Sequence, residues 1–170
     1  DRVGKQKGKY IPLSVRIGKS IDVAMGFGLD ATTWDDMKLI DQFNVTEHYF
    51  NTTELDVESF MEIADNARVC AELAYVVADG GFGRQFCQPE LLRATAANFL
   101  ARGVHGITFF NLNYSGDFVQ SITGINGIKD PEALKNHEKL YNVTNGQGTF
   151  PASGKKDYKL LIADDVSNGI

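Results

Sequence analysis

Glu72 interrupts the run Val69 to Val77, VCAELAYVV, which is otherwise apolar. A carboxylate inside such a run must be paired or protonated. Read as a strand, the run puts Glu72 on one face with Cys70 and Ala74, while Leu73 and Tyr75 share the other. Arg16 belongs to an earlier strand-like run, IPLSVRI, with parity opposite to Leu13, Val15 and Ile17. It therefore leaves the apolar face as Glu72 does and is its natural partner. Two roles compete for the pair: a carboxylate positioned for nucleophilic or acid/base work, or a structural Arg–Glu bridge.

A second group ends the run Phe43 to Phe50, FNVTEHYF. Glu47, His48 and Tyr49 set hydrogen-bonding groups beside an aromatic ring, which a sugar site requires and which a solvated strand end also contains. Asn111 and Asn113 close a third run and can bind hydroxyls, or Asn111 can cap the loop backbone. His105 falls at the opposite end of its strand and His137 on a helix surface, so neither joins a site. No His, Cys or Asp grouping has metal-ligand spacing and no Gly-x-Ser-x-Gly elbow occurs, so no metal or other cofactor is expected.

The elements that must position these residues alternate between helix and strand. Leu91 to Asn113 is the plainest stretch: Leu92, Ala96, Phe99 and Leu100 recur at helical spacing, Pro89 and Glu90 suit a first turn, and Gly103 suits a left-handed C-cap. GITFF, Gly106 to Phe110, then reads as a strand apolar on both faces, fitted to a parallel sheet covered by helices. Upstream, Ile21 to Met25 reads as a short helix ended by Gly26 and Gly28. ATTWDDMKLI is a helix capped by Asp30 or Thr32, with Trp34, Met37 and Leu39 or Ile40 inward, and VESFMEIADNA is another, preceded by Asp56 or Thr53. Ala78 to Gln88 reads as a glycine-rich loop. Asp130-Pro131 starts a last helix, PEALKNHEKLYNV, which buries Leu134 and Leu140.

Four such βα units make half of a (β/α)8 barrel, which needs about 250 residues to close. The sequence therefore predicts an α/β fold: residues 1–10 as a surface lead-in, 11–145 as a TIM-barrel half, and 146–170 as a linker and first strand of a β-rich module. Half a barrel exposes two sheet edges, so the remainder of the barrel, from a longer chain or another one, is an expected partner.

With 43% hydrophobic and 23% charged residues, the composition is that of an ordinary globular domain. A net charge of −5, with basic residues concentrated only in GKQKGK near the start, argues against a nucleic-acid surface. No apolar run approaches the roughly 18 residues a membrane span needs. No signal peptide opens the chain, as would hold equally for a mature or excised segment. Cys70 and Cys87 are expected to be free thiols. Sequons at Asn44, Asn51, Asn113 and Asn142 suggest a secreted glycoprotein, with Asn51, Asn113 and Asn142 as acceptor candidates and Asn44 disfavoured by its strand.

The succession of motifs resembles the C-terminal barrel half of uncharacterised glycosyl hydrolase-like (β/α)8 proteins. Arg16, Gly28-Leu29-Asp30, Trp34 and Leu39-Ile40-Asp41 match one part of that layout, and Arg93, Gly103, Gly106, Phe110 and Asn111 match its last helix and strand. The likeness covers roughly residues 11 to 140. It implies a carbohydrate-active barrel in which Glu72, on the seventh strand, corresponds to the nucleophile of retaining enzymes. The acid/base, on the fourth strand, would lie outside this chain. Retaining enzymes hold those two groups about 5 to 5.5 Å apart. A non-catalytic glycoprotein that keeps the barrel for binding or assembly is the alternative. A sugar-phosphate enzyme fits less well, because the final βα loop lacks a compact glycine cup.

Overall fold

A computed structural model of the chain describes residues 2–47, 50–78, 84–110 and 125–141. In chain order the elements are α1 (Arg2–Lys7), β1 (Ser14–Ile17), α2 (Ile21–Gly26), α3 (Ala31–Asp36), β2 (Gln42–Val45), α4 (Val57–Ile63), β3 (Arg68–Ala74), β4 (Val76–Ala78), β5 (Arg84–Phe86), α5 (Pro89–Ala101), β6 (Gly106–Phe110) and α6 (Pro131–Lys135).

Short polar side chains start the helices. Ser20, Asp30, Asp56 and Asp130 each accept a backbone N–H from the first turn of α2, α3, α4 and α6. Asp30 grips Thr33 twice, through its amide at 3.0 Å and its hydroxyl at 2.8 Å, which holds its carboxyl below the usual carboxylate range. The longest helix, α5, has Pro89 in its first turn and is followed by Gly103 at φ +94°, a left-handed turn that lets the chain re-enter the sheet.

β1, β2, β3 and β6 form one parallel sheet in that order. Each strand is joined to its neighbour through at least one helix, the arrangement of part of a TIM-barrel-like α/β fold. Ile17, Phe43, Val45, Val69, Ala71 and Leu73 leave the sheet on one side and are buried with Ala24, Ala31, Phe60, Leu92, Ala96 and Phe99 of the helices. Phe43 and Phe60 meet across this layer with ring centroids 6.3 Å apart. The other face carries Arg16, Asn44, Cys70, Glu72 and Thr108, as strand alternation requires.

Several local expectations are corrected. The N-terminal lead-in contains the α1 turn. β1 begins at Ser14, leaving Leu13 half exposed, and β2 stops at Val45 rather than Phe50. The stretch Ala78 to Gln88 is not all loop: Val76–Ala78 pairs antiparallel with Arg84–Phe86 in a hairpin beyond β3. Met37 (62% exposed) and Leu140 (56%) stay outside the core, because α3 and α6 stop before either residue reaches an inward position. β6 is only half buried along its length, as befits a strand with a sheet neighbour on one side among the described residues. Residues 146–170 lie outside the described residues. Cys70 and Cys87 are buried free thiols.

Candidate functional site

The polar face of the sheet brings Arg16 and Glu72 together. In the ladder, Arg16 lies level with Asn44, Cys70 and Gly106, and Glu72 lies two residues further toward the strand ends, level with Thr108. Arg16 closes that offset with its length: its Nε donates to Glu72 Oε1 at 2.5 Å, and its Nη2 approaches Thr46 Oγ1 at 3.4 Å. Its guanidinium carbon sits 3.6 Å from the centroid of the Phe110 ring. The Glu72 side chain is 4% exposed and that of Arg16 33%. A charge-assisted bond thus holds the buried carboxylate, while its cation keeps one flank toward solvent.

The neighbourhood is polar and partly satisfied. Gln42 Nε2 donates to Asn44 Oδ1 at 2.7 Å, and Asn44 Nδ2 donates to Ser14 Oγ at 2.8 Å, a row below the ion pair. Thr108 Oγ1, level with Glu72, is buried without a hydrogen-bond partner among the described residues. Cys70 is buried one step below Glu72, and burial pushes its thiol up, with nearby Arg68 opposing.

Glu47 enters a separate ion pair. Its Oε2 is 2.7 Å from Lys19 Nζ, and its side chain is 8% exposed. Glu54 shares this environment: burial raises its carboxyl above the ordinary range, Lys19 lowers it, and Glu47 raises it further. Two carboxylates therefore draw on one ammonium group at the end of β2.

Of the other residues singled out from the sequence, His48, Tyr49, Asn111, Asn113 and Asn142 lie outside the described residues. Asn51 is 4% exposed, and its Nδ2, the atom a glycan would join, donates to buried Thr95 at 3.0 Å. The folded chain thus encloses that amide. His105 remains at the start of β6, with Nδ1 3.1 Å from the Val69 amide. Sequence reasoning missed Thr46, Lys19 and Phe110 as neighbours of the candidate groups. Phe110 was open to discovery, because it shares parity with Gly106 and Thr108 and so belongs to the polar face.

Among the described residues no three His, Cys, Asp or Glu side chains gather to hold a metal ion, and no helix is long and apolar enough to cross a membrane. No family model and no curated protein matches the chain. The assignment to a barrel-like α/β fold therefore rests on its parallel sheet and alternating helices.

Proposed function

We propose that the chain is the C-terminal half of a carbohydrate-active (β/α)8 barrel of the glycoside hydrolase type, acting on an extracellular glycan. Glu72 is its nucleophilic carboxylate. The second carboxyl group comes from the remainder of the barrel, which covers the open edges at β1 and β6. Arg16 stands beside Glu72, and the candidate sugar-binding groups are Glu47, which is paired with Lys19, together with His48, Tyr49, Asn111 and Asn113, which lie outside the described residues. The observation that carries this reading is the Arg16–Glu72 pair at 2.5 Å on the polar face of a parallel sheet, opposite the helix-packed core. In α/β barrels of this kind, chemistry gathers near the C-terminal ends of the strands, and Glu72 is two residues from the end of β3.

In a retaining reaction the ionised carboxylate attacks the anomeric carbon, and the acid/base group protonates the departing oxygen. That group then deprotonates the water that releases the sugar. The bond from Arg16 Nε to Oε1 at 2.5 Å orients the carboxylate. Hydrolysis by wild type and Glu72→Gln across a panel of plant and algal polysaccharides tests the reading. Loss of turnover with an unchanged unfolding transition supports it, and unchanged turnover removes Glu72 from the mechanism.

The competing reading is a barrel kept for carbohydrate binding or assembly. It draws on the near-complete burial of the Glu72 side chain against Arg16, which equally suits a structural bridge. Glycan binding without hydrolysis, retained in Glu72→Gln, would favour it.

A further inference from the structure

We infer that Phe110 is a positioning residue for Glu72, acting through Arg16. β1 and β6 are the two edges of the sheet, with β2 and β3 between them. At about 4.8 Å per strand step the edges are roughly 14 Å apart along the sheet. Arg16 nonetheless places its guanidinium carbon 3.6 Å from the Phe110 ring centroid. The arginine begins level with Cys70, passes Glu72, and ends at Phe110, which is level with Ala74. Its side chain crosses the polar face obliquely, and Glu72 lies on its path.

An arginine spanning two strands has many rotamers available, and one hydrogen bond does not select among them. Here three contacts from three other strand segments converge on one planar group: Glu72 of β3 at Nε, Thr46 after β2 at Nη2, and Phe110 of β6 against its face. The ring attracts the cation through its quadrupole and removes water from that side, which strengthens the bond from Nε to Glu72. Lysine has neither the plane to stack nor the second nitrogen to reach Thr46. Phe110 thus fixes the guanidinium, and the guanidinium fixes the carboxylate. The catalytic consequence rests on Glu72 being the acting group proposed above; the positional one does not.

The test reads both levels separately. In ¹⁵N-labelled protein the Arg16 Nε–H resonance is assigned by its disappearance in Arg16→Lys. Phe110→Leu should move it out of the ring-current field and speed its exchange with water about tenfold, the scale of one lost cation–π contact. Phe110→Tyr, which keeps the ring, should leave both at the wild-type value. On a hydrolysed glycan, Phe110→Leu should lower kcat about tenfold with KM within about twofold, and Phe110→Tyr should restore it. If Phe110→Leu does not fold, Phe110→Met, which keeps volume without a ring, takes its place. An Nε–H signal unchanged in shift and exchange in the ringless variant overturns the inference. The expected NMR changes in a protein that hydrolyses no glycan uphold the positioning and remove the hydrolase reading instead.

Discussion

Asp35 Oδ1 lies 2.7 Å from the amide nitrogen of Ala67, a bond between α3 and the turn that leads into β3. The same carboxylate accepts from the amides of Asp65 at 2.9 Å and Asn66 at 3.1 Å, and from Asn66 Nδ2 at 3.1 Å. Asp35 is fully buried. One side chain thereby supplies the acceptors for a turn of backbone donors and sets where β3 begins. Replacing it by alanine leaves those donors to find water in a crowded turn. Asp35→Ala should cost about 2–4 kcal/mol, and Asp35→Asn, which turns a donor toward donors, should recover little of it. Urea unfolding of both variants measures this. A loss under about 0.5 kcal/mol would make the carboxylate an onlooker.

Arg102 makes the corresponding clasp at the end of α5. It is paired with both oxygens of Glu58 at 2.7 and 2.5 Å and donates to the carbonyls of Thr53 and Leu55 at 2.9 and 2.6 Å. Its side chain is 5% exposed. A guanidinium fork suits four acceptors in this geometry, and an ammonium does not. Arg102→Lys should therefore destabilise by about 2–3 kcal/mol although the charge is kept. At about 2–4 °C per kcal/mol for a chain of this size, calorimetry should show a fall in Tm of several degrees. Glu58→Gln should cost less, since its side chain is 32% exposed and the two carbonyl bonds remain.

These two clasps explain which parts of the molecule were legible in the sequence. The α5–Gly103–β6 passage, the caps Asp30 and Asp56, and the polar sheet face that Arg16 and Glu72 share each follow from signals local to their own segment. Asp35 reads as one more polar residue on a short helix, because its partners lie some thirty positions away. The β4–β5 hairpin was hidden because Arg84 to Phe86 follows a glycine-rich stretch and lacks the alternation of a longer strand. Leu140 reads as core only if α6 runs on to Val143, yet the helix ends at Lys135. In the candidate site, parity was enough to join Arg16 to Glu72, but the contact of Arg16 with Phe110 links the two edge strands, β1 and β6, which no local signal brings together.

Two glycines should respond to the same substitution with opposite signs. Gly103 has φ +94° and a Cβ there would meet nothing within 4 Å, so the cost of Gly103→Ala is backbone strain alone, about 1–2 kcal/mol. Gly26 closes α2 without a left-handed φ, and a Cβ there also meets nothing within 4 Å. Gly26→Ala should therefore stabilise by about 0.4–1 kcal/mol through the unfolded chain. Paired chemical denaturation resolves the two. A Gly103→Ala variant that is no less stable would mean that the α5–β6 turn does not require the left-handed conformation, and a destabilising Gly26→Ala would mean that the end of α2 requires its glycine.

Cys87 gives the molecule a dependence on alkaline pH. Burial pushes its thiol up to about 12 from an ordinary 9.0, with a hydrogen bond from Asn51 opposing, and its Sγ lies 3.7 Å from the carbonyl of Ala74. Above pH 9 the unfolded chain releases this proton while the folded one holds it until about 12. The unfolded state then binds fewer protons, so stability falls as pH rises across that window, and below 9 the contribution is complete. Lysines and tyrosines titrate in the same range, and the comparison with Cys87→Ala removes them. The stability gap between wild type and variant should narrow from pH 7 to pH 10.5, measured by urea midpoints at constant ionic strength. The native thiol should also resist aromatic disulfide reagents at pH 8 and react fully in urea, because the thiolate is the attacking species and burial withholds it. Rapid labelling of Cys87 in the folded protein, or a gap constant with pH, would mean that solvent reaches the thiol.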